Sequence, residues 1–251
     1  MNTFQRTPEE QREFVVELLK LSLFFSAEYR KRHSGEDISS IIIERSPLWE
    51  LTGLRGSDIE TRLTESLSGL YGEDPMEFEK KGMDMLSPYM NTFFDAHLEW
   101  EKNILASYRD SCFKYDPPAA NHPPDHCNFH ITNYISPDSI LKDTKYTADR
   151  FMNMMNEAEK HFGFNTLRTE TWLNSVQEWL KFFPDEWLNN MSEPVTRISR
   201  SLGLWGQLIT ARKTFNFNAG EYIRANIEMR FKPGSSWCSF SSMRKHLAKF
   251  L

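Results

Sequence analysis

The chain of 251 residues contains no long run of apolar residues. A membrane-spanning helix needs about 18 or more consecutive apolar residues, and no stretch approaches that length. The first residues, MNTFQRTPEEQ, also lack the apolar centre of a secretory signal peptide. We therefore expect a cytoplasmic protein that has no membrane partner.

Cysteine is scarce, and its spacing is not that of a metal site. Cys112, Cys127 and Cys238 are odd in number and form no CxxC pair, which argues against both a disulfide framework and a cysteine-rich zinc site. We expect reduced thiols. Cys127 and Cys238 are candidate nucleophiles, but a cysteine beside a strand is most often a small buried apolar residue.

Blocks of basic residues are also missing. The 30 lysines and arginines are outnumbered by 35 acidic residues, which gives a formal charge of −5. Proteins that bind nucleic acid usually concentrate positive charge on one face, so nucleic acid is not an expected partner. Hydrophobic and charged residues occur at the frequencies usual for globular proteins. The partner that we expect is a small-molecule substrate.

Residues 1–115 are predicted to be helical. Thr7, Pro8 and Glu10 have the spacing of a capping box at the start of a helix. An apolar stripe with helical spacing follows, formed by Phe14, Leu18, Leu21 and Phe25. The isoleucine-rich segment 38–44 is ambiguous between a helix and a strand.

A proline-rich segment marks the predicted boundary. The stretch DPPAANHPPDH, residues 116–126, has four prolines in eleven residues and cannot form a regular helix. We therefore divide the chain into a helical region, 1–115, and an α+β region, 116–251. We expect the two regions to form one compact unit.

Strand patterns appear in the second region. CNFHITNYI, residues 127–135, alternates polar and apolar residues with the period of a half-buried strand. An amphipathic helix closed by Gly163 follows, and then NTLRTETWL, residues 165–173, which is rich in strand-forming residues. LGLWGQLIT, residues 202–210, is interpreted as a third strand. The prediction is an α+β fold in which a helical N-terminal half packs on a small β-sheet with strand-helix-strand organisation.

The order of these motifs resembles a known family. FHITNYISPDSIL, a helix ending in AEKHFGF and the run LRTETWLNSVQEWLKFFPDEW are similar to segments of bacterial acyltransferase-like proteins with a GNAT-like C-terminal domain. The likeness covers about residues 127–190, and the matching residues are Phe129, His130, Ile131, His161, Phe162, Trp172 and Leu173. It implies a GNAT-like α+β fold and acyl-coenzyme A as a possible donor.

Pairing of the predicted strands would assemble a catalytic group. We predict that His130, Glu170 and Gln207 lie together, flanked by Trp172 and Trp205. A histidine can exchange a proton at cellular pH, so His130 would deprotonate an amine or hydroxyl acceptor of acyl transfer. Glu170 would orient the imidazole, and Gln207 would donate to the developing oxyanion.

Further residues are predicted to bind the substrate. They are Asn128, Trp172, Trp205 and Arg212, the last because an arginine after the third strand could hold a phosphate or carboxylate. The alternative is that His130 is a structural histidine at the surface of the sheet and that Glu170 is a solvated side chain. A non-catalytic protein that binds a small ligand in an aromatic cavity is the competing function, and it predicts His130 and Glu170 far apart or on opposite faces.

A metal-dependent enzyme is the third hypothesis. His122, His126 and His130 form a local cluster of side chains that could bind zinc or iron. Pro123 and Pro124 prevent helical regularity between the first two histidines, so such a site would need loop geometry.

Overall fold

The computed structural model describes residues 6–50, 52–109, 111–120 and 123–251, with only the backbone of Leu202. These residues form two compact units. Unit 1 comprises residues 104–196 and 231–251, and unit 2 comprises residues 6–103 and 197–230. No helix in these ranges is long and apolar enough to cross a membrane.

The regular secondary structure of the described residues consists of helices and one small sheet. The α-helices, in chain order, are α1 (Pro8–Arg32), α2 (Ile38–Glu44), α3 (Asp58–Ser68), α4 (Pro75–Leu86), α5 (Met90–Ser107), α6 (Thr144–Phe162), α7 (Gln177–Leu180), α8 (Asp185–Asn189), α9 (Leu202–Trp205), α10 (Phe217–Asn226) and α11 (Phe240–Leu247). The strands are β1 (Phe113–Tyr115), β2 (His126–Ile131), β3 (Thr166–Thr171) and β4 (Gly234–Ser239). The chain has a mixed α+β fold, as predicted.

The helical prediction for the N-terminal segment is confirmed in detail. The Thr7 hydroxyl accepts from the Glu10 backbone N–H at 3.1 Å, and the Glu10 carboxylate accepts from the Thr7 backbone N–H at 2.8 Å. The predicted apolar stripe of α1 is buried. The ambiguous segment forms α2, which begins at a cap where the Asp37 side chain accepts from the Ser40 N–H.

The sheet lies in unit 1 and has the order β1-β2-β3-β4. β1 and β4 are antiparallel to their neighbours, whereas β2 and β3 are parallel. Parallel neighbours need a long crossover connection, and α6 lies in that connection. Gly163 ends α6 in the left-handed conformation with φ 70°, as the sequence predicted.

The boundary predicted at 115/116 differs from the limits of the units. The chain enters unit 1 at residue 104, leaves it at 197 and returns at 231. β1 precedes the proline-rich segment and pairs with β2, which follows it. The segment therefore connects two strands of one antiparallel pair.

The predicted third strand, residues 202–210, is wrong. It forms α9 and then a 3-10 turn, Gly206–Leu208, and only Ile209 makes an isolated bridge, to Phe215. Leu204 and Leu208 are buried four residues apart, which is helical spacing. The edge of the sheet beyond β3 is instead formed by β4, whose serine-rich sequence GSSWCS carries little strand signal.

Aromatic rings fill the core of unit 1. Phe113 stacks on Phe151 of α6 with ring centroids 4.0 Å apart, and Phe151 also contacts Phe129 and Trp179. All four rings are at most 3 % exposed. α6 therefore attaches to the sheet through ring packing, and the opposite face of the sheet is left for polar side chains.

Replacement of Phe151 tests this packing. We expect Phe151→Ala to lower the free energy of unfolding of unit 1 by about 3–5 kcal/mol, because the ring is lost from a close-packed site. Phe162 is on the same helix but 43 % exposed, so Phe162→Ala should cost about 1 kcal/mol or less. Urea denaturation followed by tryptophan fluorescence measures both, and equal losses would contradict the assignment of the core.

Candidate functional site

The outer face of the sheet carries the polar residues of β2. Burial alternates along the strand: Cys127 and Phe129 are buried, Asn128 is half-buried and His130 is exposed. The predicted period of two is confirmed. Asn128 and His130 therefore point away from the aromatic core.

Register places two polar rows across this face. In one row, Asn128 lies beside Arg168, and Arg168 lies beside Trp237. Two residues further along each strand, His130 lies on β2, and Glu170 of β3 pairs with Ser235. The Thr169 hydroxyl donates to the Phe129 carbonyl at 2.8 Å, which supports this alignment of β2 and β3.

Asp116 connects the two polar residues of β2. His130 Nε2 lies 2.7 Å from Asp116 Oδ2, and Asn128 Nδ2 donates to the same oxygen at 2.8 Å. The Asp116 backbone N–H also donates to the Asn128 carbonyl, which continues the β1–β2 ladder by one residue. Asp116 is thus held through its backbone N–H and its side-chain carboxylate.

These contacts favour the ionised form of Asp116. Partial burial raises the pKa of the carboxyl, but hydrogen bonds from Asn128 and His130, with the nearby charges of His130 and Lys114, outweigh it and leave the pKa below its usual value. An ionised carboxylate only accepts hydrogen bonds, so His130 Nε2 must be the donor. In the neutral ring, Nδ1 then carries the lone pair, and a proton acceptor is available on an exposed side chain.

Asp116 is the functional candidate that sequence reasoning missed. It was assigned to a connecting segment because of the prolines after it, and Glu170 was expected to orient His130. In the structure Glu170 accepts from the Ser235 hydroxyl at 3.1 Å, and Asp116 contacts the imidazole. The available signal was the short FKY strand before Asp116, which predicts a hairpin with β2.

The remaining predicted residues occupy other places. Gln207 is buried in unit 2 and its Nε2 donates to the Leu204 carbonyl, while buried Trp205 donates to the Ser199 carbonyl. Because these residues do not form a strand, sheet alternation no longer relates them to His130. Arg212 is exposed, also in unit 2.

Trp172 remains in unit 1, directly after β3. It is half-buried, and its ring stacks on Phe231 with centroids 5.7 Å apart and planes at 28°. The pairing supports a structural role for Trp172 at the end of β3. The exposed indole on the outer face belongs instead to Trp237, which is 42 % exposed.

The two described histidines of the predicted metal cluster are too far apart to bind one ion. His126 and His130 lie on one strand four residues apart, which separates them by about 13 Å. Such a distance prevents them from sharing an ion. His122 lies outside the described residues, and within the described ranges no three metal-binding side chains come together.

The cysteines are poor candidates for nucleophiles. Cys112, Cys127 and Cys238 are buried free thiols. Burial raises the pKa of Cys127 to about 12 and also raises the pKa of Cys238 well above its usual value. Since the thiolate is the reactive form, neither residue is activated.

Asp116 should make stability depend on pH. The pKa of the Asp116 carboxyl is lower in the folded protein than in the unfolded chain, where it is about 4. The carboxylate therefore stabilises the fold fully above the unfolded-state pKa. That stabilisation is lost as the pH falls through the folded-state pKa. We expect Asp116→Asn to be destabilising at pH 7, with a difference from the wild type that shrinks towards pH 3. Urea denaturation across this range measures it, with Asp138→Asn, an exposed aspartate of unit 1, as control. A difference that is constant with pH would contradict the Asp116 contacts.

Comparison with known proteins adds no relative. Neither the protein-family models nor the curated proteins nor the solved structures include a match to this chain. The functional argument therefore depends on the geometry of the outer sheet face.

Proposed function

We propose that unit 1 carries the active site of a small-molecule acyltransferase and that His130 is its general base. The observation that supports this is the 2.7 Å contact between His130 Nε2 and an Asp116 carboxylate kept ionised by its neighbours. A histidine oriented by a carboxylate is the usual arrangement for proton transfer from a nucleophile. The resemblance of residues 127–190 to acyltransferase-like proteins favours acyl transfer over other base-catalysed reactions.

His130 acts through its outward nitrogen in this proposal. Nδ1 takes the proton from an amine or hydroxyl acceptor while the acceptor attacks the carbonyl of an acyl thioester such as acyl-coenzyme A. The carbon–sulfur bond breaks, and the thiolate leaves with the electron pair. Asp116 stabilises the imidazolium that forms, because its negative charge lies at hydrogen-bond distance.

The outer face supplies groups that suit such substrates. Glu170 is an exposed carboxylate of β3 that would attract a cationic amine, and its partner Ser235 holds it in place. Arg168 lies in the neighbouring row as a half-buried cation, and Trp237 offers an apolar ring next to it. The competing binding hypothesis predicts His130 and Glu170 far apart or on opposite faces. Strand alternation from the Asn128–Arg168 pair favours one face for both residues.

Substitution of the histidine tests the proposal. We expect purified protein to release thiol from acetyl-coenzyme A in the presence of a panel of primary amines and alcohols, detected with a thiol reagent. His130→Gln should lower this rate by about 100-fold or more, because general-base catalysis contributes about 10²–10⁴. Asp116→Asn should lower it as well, by less.

A second histidine supplies the control. His246 is in unit 1 and half-buried, and its Nε2 contacts the Lys181 carbonyl, so His246→Gln should keep the wild-type rate. A His130→Gln protein that folds, shown by an unchanged melting temperature, and still turns over at the wild-type rate would refute the assignment. Ligand binding without turnover in the wild type would favour the non-catalytic binding protein.

A further inference from the structure

Unit 2 contains a cleft whose lining residues have no role in the proposed acyltransferase site. It has a volume of 430 Å³, within the range of small-molecule sites. The end of α1, the start of α2 and the residues that lead into α4 line it. Its apolar part is formed by Ala27, Ile38 and Phe78, all at most 8 % exposed.

Arg30 is the cation in this cleft. Its Nη2 donates to the Tyr71 hydroxyl at 3.2 Å, and the guanidinium carbon lies 5.2 Å from the centre of the Tyr71 ring. Its Nε is buried and makes no hydrogen bond. Among the residues that the structure describes, no carboxylate lies within ion-pair distance of Arg30.

The other charged residues of the lining have partners. Lys31 pairs with Glu28 at 3.9 Å, and Glu73 pairs with Lys81. The Asp74 side chain accepts from the Met76 N–H at 3.0 Å and caps α4. Arg30 therefore differs from its neighbours, because its charge is neutralised by none of them and its planar fork faces a cavity.

We propose that this cleft binds a small organic anion, a carboxylate or phosphate monoester carried on an apolar or aromatic body. Guanidinium groups recognise both oxyanions with paired hydrogen bonds, and the terminal nitrogens of Arg30 can donate them. The apolar part of the cleft would take the body of the ligand. Tyr71 is 63 % exposed, and its ring can cover a bound molecule at the entrance.

Matched aromatic probes test the charge requirement. Phenylacetate and phenyl phosphate represent the two anions, benzyl alcohol is the neutral analogue and benzylamine is the cationic one. Ligand-observed NMR and isothermal titration on the full chain should show binding of at least one anion, with the alcohol and the amine weaker by about tenfold or more. The stronger anion identifies the preferred group. No binding of either anion at millimolar concentration, or equal binding of all four probes, would overturn the proposal.

Two variants connect binding to the cleft. Arg30→Met should weaken anion binding by about tenfold or more, and Arg12→Met, the same charge change on the exposed first part of α1, should not alter it. Ala27→Leu narrows the cavity without changing charge and should also weaken binding. This variant keeps the test valid if Arg30→Met fails to fold. Unchanged affinity in both Arg30→Met and Ala27→Leu would exclude this cleft as the site.

Discussion

Parallel pairing of β2 with β3 is the constraint on which unit 1 depends. Parallel strands cannot be joined by a tight turn, so the chain must leave the sheet and return through α6. That helix brings Phe151 against Phe113 and Phe129, which closes one face of the sheet with rings. The strand register then determines which side chains lie next to one another on the other face. Side chains that do not enter the aromatic core must point outward.

The division into an apolar face and a polar face separates the buried thiols of the sheet from its ionisable side chains. Burial suppresses the reactivity of the inward thiols, as the raised pKa of Cys127 shows. On the outer face, hydrogen bonds from Asn128 and His130 keep the pKa of Asp116 below its usual value. One strand, β2, therefore contributes a buried thiol to one face and an exposed imidazole to the other.

The sequence predicted correctly those features that depend on interactions between residues close in the chain. The cap at Thr7, the end of α6 at Gly163 and the alternation of β2 each depend on residues close in the chain. Predictions failed where tertiary contacts decide. Residues 202–210 are apolar enough for a strand yet bury their side chains with helical spacing, and β4 is a strand chiefly because β3 offers it hydrogen bonds. The role of Asp116 was missed for the same reason, since only strand pairing brings it to His130.

Asp116 directly follows β1, and His130 lies on β2, its antiparallel partner, with the rest of the proline-rich segment between them. Their distance is fixed by the ladder hydrogen bonds and not by the length of the connection. Insertions or deletions within the connection can therefore accumulate during evolution without separating the carboxylate from the imidazole. A shift of β1 by one residue has a different consequence, because it turns Asp116 towards the aromatic core, and selection should conserve strand register more strictly than connection length.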